Sequence, residues 1–182
     1  MAEFLTDVKT LRDRAREQID KGPVTDAYGA DLPRVLQVLN EALATEIVCV
    51  LRYKRHYYTA SGLYSGPVAA EFLEHAQEEQ THADRLAQRI VQLGGEPDFD
   101  PDTLSTRSHT PYDASTGLVE MVKEDLIAER VAVASYTEIC QWLGDKDPTT
   151  RRVFEDLLAQ EEEHADDLRG LLERIPGAGP AR

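Results

Sequence analysis

Apolar residues recur along this chain at three- and four-residue intervals in four long blocks, and each block predicts an α-helix with one buried stripe. The first long helix is expected from Asp31, a candidate N-cap followed by Pro33, to about Ser61 before Gly62. Its stripe reads Leu36, Leu39, Leu43, Glu46, Val50 and Tyr53. The second runs from about Pro67 to Leu93 and stops at Gly94-Gly95, with Val68, Phe72, His75, Glu79, His82, Leu86 and Leu93 facing inward. The third, about Ala114 to Leu143, presents Leu118, Val122, Asp125, Glu129, Ala132, Tyr136 and Cys140. After a tight turn at Gly144-Asp145-Lys146-Asp147 the fourth starts at Pro148 and continues to about Ile175, where Pro176-Gly177 ends it. Its stripe is Phe154, Leu157, Glu161, His164, Leu168 and Leu171. Acids and histidines interrupt every seam. A carboxylate in a core position is costly unless it is paired or binds a cation.

Residues 95–113 carry Pro97, Pro101 and Pro111 among Ser, Thr and Asp and have no helical period. Four helices of about 40 Å at 1.5 Å per residue, joined short, long, short, predict an all-α four-helix bundle with one long crossover. Ahead of the bundle, residues 3–20 read as a short charged helix whose thin apolar stripe is Phe4, Leu5, Val8, Leu11 and Ile19, serving packing or assembly. Gly22-Pro23 ends it, and Val24 to Ala30 reads as a linker. The expected division is an N-terminal extension at 1–30, the bundle at 31–176 and a flexible tail at 177–182.

The interruptions themselves repeat. Glu79-Gln80-Thr81-His82 is echoed by Glu161-Glu162-Glu163-His164, and a lone glutamate precedes each copy, Glu46 by 33 residues and Glu129 by 32. A carboxylate and an imidazole three residues apart share a helix face and can grip one ion. A single such pair is common on surface helices, but independent surface pairs have no reason to recur with a matching upstream glutamate. Folding the two hairpins together brings all six residues to one level of the core. Four carboxylates and two imidazoles suit two iron ions, with manganese as the alternative, better than zinc, whose structural sites take four ligands and often thiolate. The expected arrangement has Glu46 and His82 as terminal ligands of one ion, Glu129 and His164 of the other, and Glu79 and Glu161 bridging both. Tyr53 and Tyr136 each lie seven residues after a lone glutamate, two turns on and on the same face. Each is either a hydrogen-bonding or electron-donating neighbour of the metals or a core aromatic with a satisfied hydroxyl.

At 182 residues the chain suits one domain that buries a core without disulfides. Its 34 acidic residues against 20 basic ones give a formal charge of −14, which opposes binding to nucleic acid and to anionic membranes. No apolar run approaches the roughly 18 residues of a membrane span, and Glu3 and Asp7 stand where a signal peptide needs basic residues. A cytoplasmic protein without a membrane partner is expected. Cys49 and Cys140 form no C-x-x-C motif and read as reduced core thiols, on helices that keep them apart.

The stretch Leu39-Asn40-Glu41-Ala42-Leu43-Ala44-Thr45-Glu46, followed by Tyr53, with Glu79-x-x-His82-Ala83-Asp84-Arg85 and Asp125-Leu126-x-x-Glu129, resembles bacterioferritin, a member of the ferritin-like superfamily. The resemblance spans roughly residues 33–175. It implies a ferritin-like bundle whose Glu46, Glu79, His82, Glu129, Glu161 and His164, with Tyr53, form a ferroxidase centre. Such a centre oxidises Fe(II) with oxygen or hydrogen peroxide and stores ferric mineral in a homo-oligomeric shell. Two departures qualify it. Bacterioferritins bind haem through a methionine directly after the second-helix glutamate, and here that position is Gln80, so haem is not expected. The chain ends in Pro176-Gly177-Ala178-Gly179-Pro180 instead of a fifth helix. With the longer crossover and the added extension, this favours a Dps-like 12-subunit shell over one of 24. Glu74 and Glu78 fall where the family places inner-surface iron ligands, and an exposed acidic face accounts for them equally. The alternatives are a non-storage di-iron or di-manganese oxidoreductase of peroxidase or hydroxylase type, and a Dps-like DNA-protecting shell, which the acidic balance disfavours.

Overall fold

The computed structural model describes residues 6–176. Its elements are α1 (Val8–Glu17), a 3-10 turn (Ile19–Lys21), α2 (Leu32–Thr59), α3 (Ser65–Gln92), a single turn α4 (Leu104–Arg107), α5 (Leu118–Leu143) and α6 (Pro148–Arg174). The hairpins α2–α3 and α5–α6 pack together as an all-α four-helix bundle, and residues 93–117 cross between them. No helix among the described residues is long and apolar enough to cross a membrane.

The helix starts follow local chemistry. Asp31 and Asp147 cap α2 and α6, accepting hydrogen bonds from the backbone N–H of Arg34 and Thr150, with Pro33 and Pro148 in the first turns. Gly94, at a φ of 79°, supplies the left-handed residue that stops α3. α5 starts at Leu118, four residues later than the apolar period implies. There the Asp113 carboxylate accepts from the Ser115 N–H at 2.7 Å and its hydroxyl at 3.1 Å, a local turn that competes with helix.

The crossover is pinned and not free of helix as expected. Leu104 is buried against Ala44 and Val48, and Arg107 donates to the carbonyls of Asn40 and Asp98, each at 3.0 Å. The Thr45 hydroxyl accepts from the His109 N–H at 2.9 Å. Its irregular backbone therefore finds partners on α2.

The extension differs from expectation in two ways. α1 starts at Val8 and buries no residue, so Val8, Leu11 and Ile19 stay exposed; Phe4 and Leu5 lie outside the described residues, as does the 177–182 tail. Val24 to Ala30, read as a linker, is docked. Val24, Tyr28 and Ala30 pack on the core, Gly29 N–H donates to the Lys146 carbonyl at 3.3 Å, and the Tyr28 hydroxyl donates to Asp147 at 2.9 Å.

Two apolar clusters fill the bundle. One gathers Leu39, Leu43, Leu86, Tyr136, Phe154 and Leu157, and the other Cys49, Tyr53, Phe72, Met121, Val122 and Leu168. Side chains of this size each contribute about 1.5–3 kcal/mol on burial, which offsets the cost of a charged layer held with them. Leu36, Leu118 and Cys140, assigned to inner stripes, are half-buried. Both cysteines are free thiols, Cys49 in the core and Cys140 at its margin.

Candidate di-metal centre

All six residues of the repeated pattern are buried, each at most 3% exposed, and they converge between the clusters. His82 Nδ1 lies 3.0 Å from Glu161, 3.3 Å from Glu79 and 3.4 Å from Glu46. His164 Nδ1 lies 3.4 Å from Glu161, 3.5 Å from Glu79 and 3.9 Å from Glu129. Glu79 and Glu161 each turn one oxygen to one imidazole and the other oxygen to the second. Two four-residue sets result, Glu46/Glu79/His82/Glu161 and Glu79/Glu129/Glu161/His164, sharing two carboxylates, with the donor atoms of each set within 4.8 Å of one another.

These donors fit a pair of cations by their lack of other partners. Both oxygens of Glu79 and of Glu161, Glu129 Oε2 and both Nδ1 atoms are buried without a hydrogen bond of acceptable geometry. Buried polar atoms are nearly always paired, so seven orphans in one layer mark a place built for something that accepts their lone pairs. The protonation pattern agrees. Burial, then Glu79, pushes Glu46 up to about 8, and burial with Glu79 and Glu161 raises Glu129 well above the carboxylate range. Desolvation pulls both imidazoles down, but Glu161, Glu46 and Glu79 overcome it at His82, and Glu161 and Glu79 raise His164 to about 12. The layer draws positive charge to the two Nδ1 positions. Metal ions binding there displace protons.

The tyrosines sit across the bundle from where their own helices suggest. Tyr53, on α2, donates its hydroxyl to Glu129 of α5, and Tyr136, on α5, donates to Glu46 of α2. Each lone glutamate is thus held by the other half's tyrosine. Burial and the carboxylates keep both phenols well above their ordinary pKa, so they remain donors.

The residues just before the two repeated glutamates complete the exchange. Glu78 accepts from His164 Nε2 at 2.7 Å and Gln160 from His82 Nε2 at 2.9 Å, which leaves each Nδ1 facing the carboxylates. Their signal in the sequence was the repeat itself, since an acid or amide precedes both Glu-x-x-His copies. Replacing Glu78 or Gln160 by Leu is expected to weaken metal affinity about 10–100-fold. Calorimetric titration should place the loss in the His164 half for Glu78→Leu and in the His82 half for Gln160→Leu.

A second buried network lies beside the centre. Arg52 pairs with Asp125 at 3.0 Å and donates to the Pro111 carbonyl at 3.1 Å, while His56 contacts Asp125 at 2.8 Å and Asp113 at 3.3 Å. It ties α2 to α5 and to the crossover. Arg52 and His56 escape a hydrophobic stripe reading because both are polar and lie outside the motif. Gln80 is exposed and donates to Asp84 at 3.0 Å.

The fold and this layer define an all-α four-helix bundle with a buried carboxylate–imidazole cluster of metal-binding type, and comparison with known proteins gives its family. The model of the ferritin-like domain matches residues 36–178. The chain is 34% identical to a bacterioferritin of Brucella melitensis, covering 82% of this chain and 89% of that protein. It is also 34% identical to a DNA protection during starvation protein of Pyrococcus furiosus, covering 84% of each. Among solved structures, the dodecameric thioferritin of Bacteroides fragilis, described as bacterioferritin-related, superposes with a TM-score of 0.78 at 33% identity. The match covers 81% of this chain and 89% of that one. The chain belongs to the ferritin-like family.

Proposed function

We propose that this protein is a ferroxidase: it binds two Fe(II) ions as substrate at Glu46, Glu79, His82, Glu129, Glu161 and His164. It oxidises them and passes ferric iron to storage in a homo-oligomeric shell. The observation that carries this reading is the pair of sets sharing Glu79 and Glu161, with seven buried donor atoms left for a cation. Each Fe(II) gives one electron to the oxidant, oxygen or hydrogen peroxide, and the reduced oxidant takes up protons to leave as peroxide or water. The protein's part is positional. Glu79 and Glu161 hold the two ions close together, Gln160 and Glu78 aim the imidazoles, and Tyr53 and Tyr136 fix the terminal carboxylates by hydrogen bonds. Tyr53 is placed to donate a further electron to the oxidant, its hydroxyl proton passing to Glu129 and the side chain remaining as a neutral tyrosyl radical.

Twelve subunits are the favoured assembly, on the likeness to the dodecameric Bacteroides fragilis protein. A DNA-binding role is disfavoured by the charge of −14. The test is aerobic Fe(II) titration of metal-free protein, followed by absorbance and light scattering. A fast phase saturating at two Fe(II) per chain, then slower uptake into a shell-sized particle, is expected. Saturation at two on a monomer or dimer would move the function to a non-storage oxidoreductase. No fast phase with either oxidant would overturn the ferroxidase assignment.

A further inference from the structure

The first helix and one face of the bundle each leave an apolar surface uncovered, and the proposed oxidation uses neither. We propose that α1 of one subunit docks lengthwise in the groove between α2 and α5 of a second copy of this chain. This contact rests on the homo-oligomer proposed above and not on the chemistry of its di-metal centre.

At 100° per residue, Val8, Leu11 and Ala15 share one side of α1, and Arg12, Arg14 and Arg16 stand on its two flanks. The acids Asp13 and Glu17 fall on the opposite side. Val8, Leu11 and Ile19 are exposed, and the helix buries none of its residues. The Gln18 side-chain amide donates to Asp26 at 2.5 Å and holds α1 over its own residues 24–27. There Leu11, Ile19, Val24 and Ala27 line an open cleft of about 330 Å³. A ten-residue helix is marginal alone in water, and an amphipathic one gains by laying its apolar side in a groove.

Such a groove runs along α5. Val38 of α2 and Trp142 of α5 line one end, Ile127 and Val131 line the other, and Ser135 and Glu138 belong to both, so the two parts are continuous. From Ile127 to Trp142 it spans about 22 Å, room for an α1 of about 15 Å. Ile127 and Trp142 are exposed. Among the described residues none of α1 lines this groove of its own bundle, and the docked segment that follows α1 keeps it away.

The charges fit in one direction. With α1 parallel to α5 and Asp7 beside Arg130, equal rise along both helices sets Leu11 near Ser135, Ala15 near Glu138 and Ile19 near Trp142. Arg12, Arg14 and Arg16 then come to Glu138, which has no basic partner among the described residues, while Arg34 meets Glu41 at 3.9 Å. The antiparallel direction would bring Arg14 and Arg16 toward Arg130 and Asp7 toward Glu138. Trp142 reaches the cleft beside Ile19, and a tryptophan closed off from water in this way is the residue type that most often carries an interface.

The test uses full-length protein. Leu11→Cys with Ser135→Cys, oxidised and run on a denaturing gel without reductant, is expected to give disulfide-linked dimers and larger species that neither single variant gives. Trp142, the chain's single tryptophan, reads the same contact without added cysteines. Leu11→Asp with Ile19→Asp, both at exposed positions, should move its emission to longer wavelength and raise its quenching by acrylamide about twofold, because the docked helix no longer excludes water. Helicity and the fast Fe(II) phase should be unchanged. A link confined within one chain, no link at all, or an emission that the aspartate pair leaves in place overturns the docking of α1 on a second copy. Light scattering separates the two ways of failing: a monomeric unaltered protein removes the homo-oligomer as well, whereas a shell-sized particle without the link removes the α1 contact alone.

Discussion

Glu79→Gln is expected to lower the initial rate of aerobic Fe(II) oxidation at least about 100-fold, some 2.7 kcal/mol at 1.36 kcal/mol per tenfold. The substitution keeps side-chain volume and helix propensity but replaces a carboxylate that faces both imidazoles, at 3.3 Å from His82 and 3.5 Å from His164. A glutamine offers one neutral oxygen, and its NH₂ points toward a cation instead of accepting from it. Both half-sites lose a ligand at once, so the effect should exceed that of a terminal ligand. Glu163→Gln, exposed on α6, serves as the matched control and should stay within about twofold. Stopped-flow absorbance reads the rate and circular dichroism confirms the helices. An Glu79→Gln variant that oxidises Fe(II) at the original rate would remove this residue from the centre.

The second large effect is on stability and lies at the far end of the bundle. Asp147 is 2% exposed, caps α6 through Thr150, accepts from the Tyr28 hydroxyl and pairs with the buried Arg89 at 3.1 Å. Asp147→Ala removes the cap, a loss of about 1 kcal/mol, and leaves Arg89 as a buried charge without its partner. Breaking a buried pair on one side costs about 3–5 kcal/mol. For a chain of this size that lowers the melting temperature by roughly 10 °C. Burial pushes the Asp147 carboxyl up, but Thr150, Tyr28 and Arg89 together hold it below its ordinary value. A depressed carboxyl stabilises fully above its unfolded pKa of about 3.9 and loses that stabilisation as pH falls through the folded value. The gap between the two proteins should therefore hold steady from pH 7 to about 5 and narrow below about 4. Thermal melts at equal protein concentration check both statements, and a drop under about 1 kcal/mol would mean the docked extension and the α5–α6 turn are not tied through Asp147.

Much of the bundle was legible along the chain. Leu39, Leu43 and Glu46, or Phe154, Leu157 and Glu161, share a face because 3.6 residues make a turn, and that holds whatever packs against them. The cap at Asp31 was legible for a similar reason, since a cap acts within three residues of itself. The six residues of the centre could be picked out because a repeated Glu-x-x-His with an upstream glutamate is a pattern in sequence before it is an arrangement in space. The start of α5 was misplaced because the Asp113–Ser115 turn outweighs the apolar period beyond it. The docking of Val24 to Ala30 was missed because Tyr28 finds its partner, Asp147, 119 residues away.

By itself, then, the sequence determined four helices, the face each one buries and the chemical set of four carboxylates and two imidazoles on those faces. Tertiary structure alone decided who meets whom: Tyr53 with Glu129 and Tyr136 with Glu46, Glu78 with His164 and Gln160 with His82, and His75 with Tyr53. The helical period sets a residue's direction about its own axis. It says nothing of how far two helices slide or rotate against each other, and contacts only about 3 Å long depend on that offset.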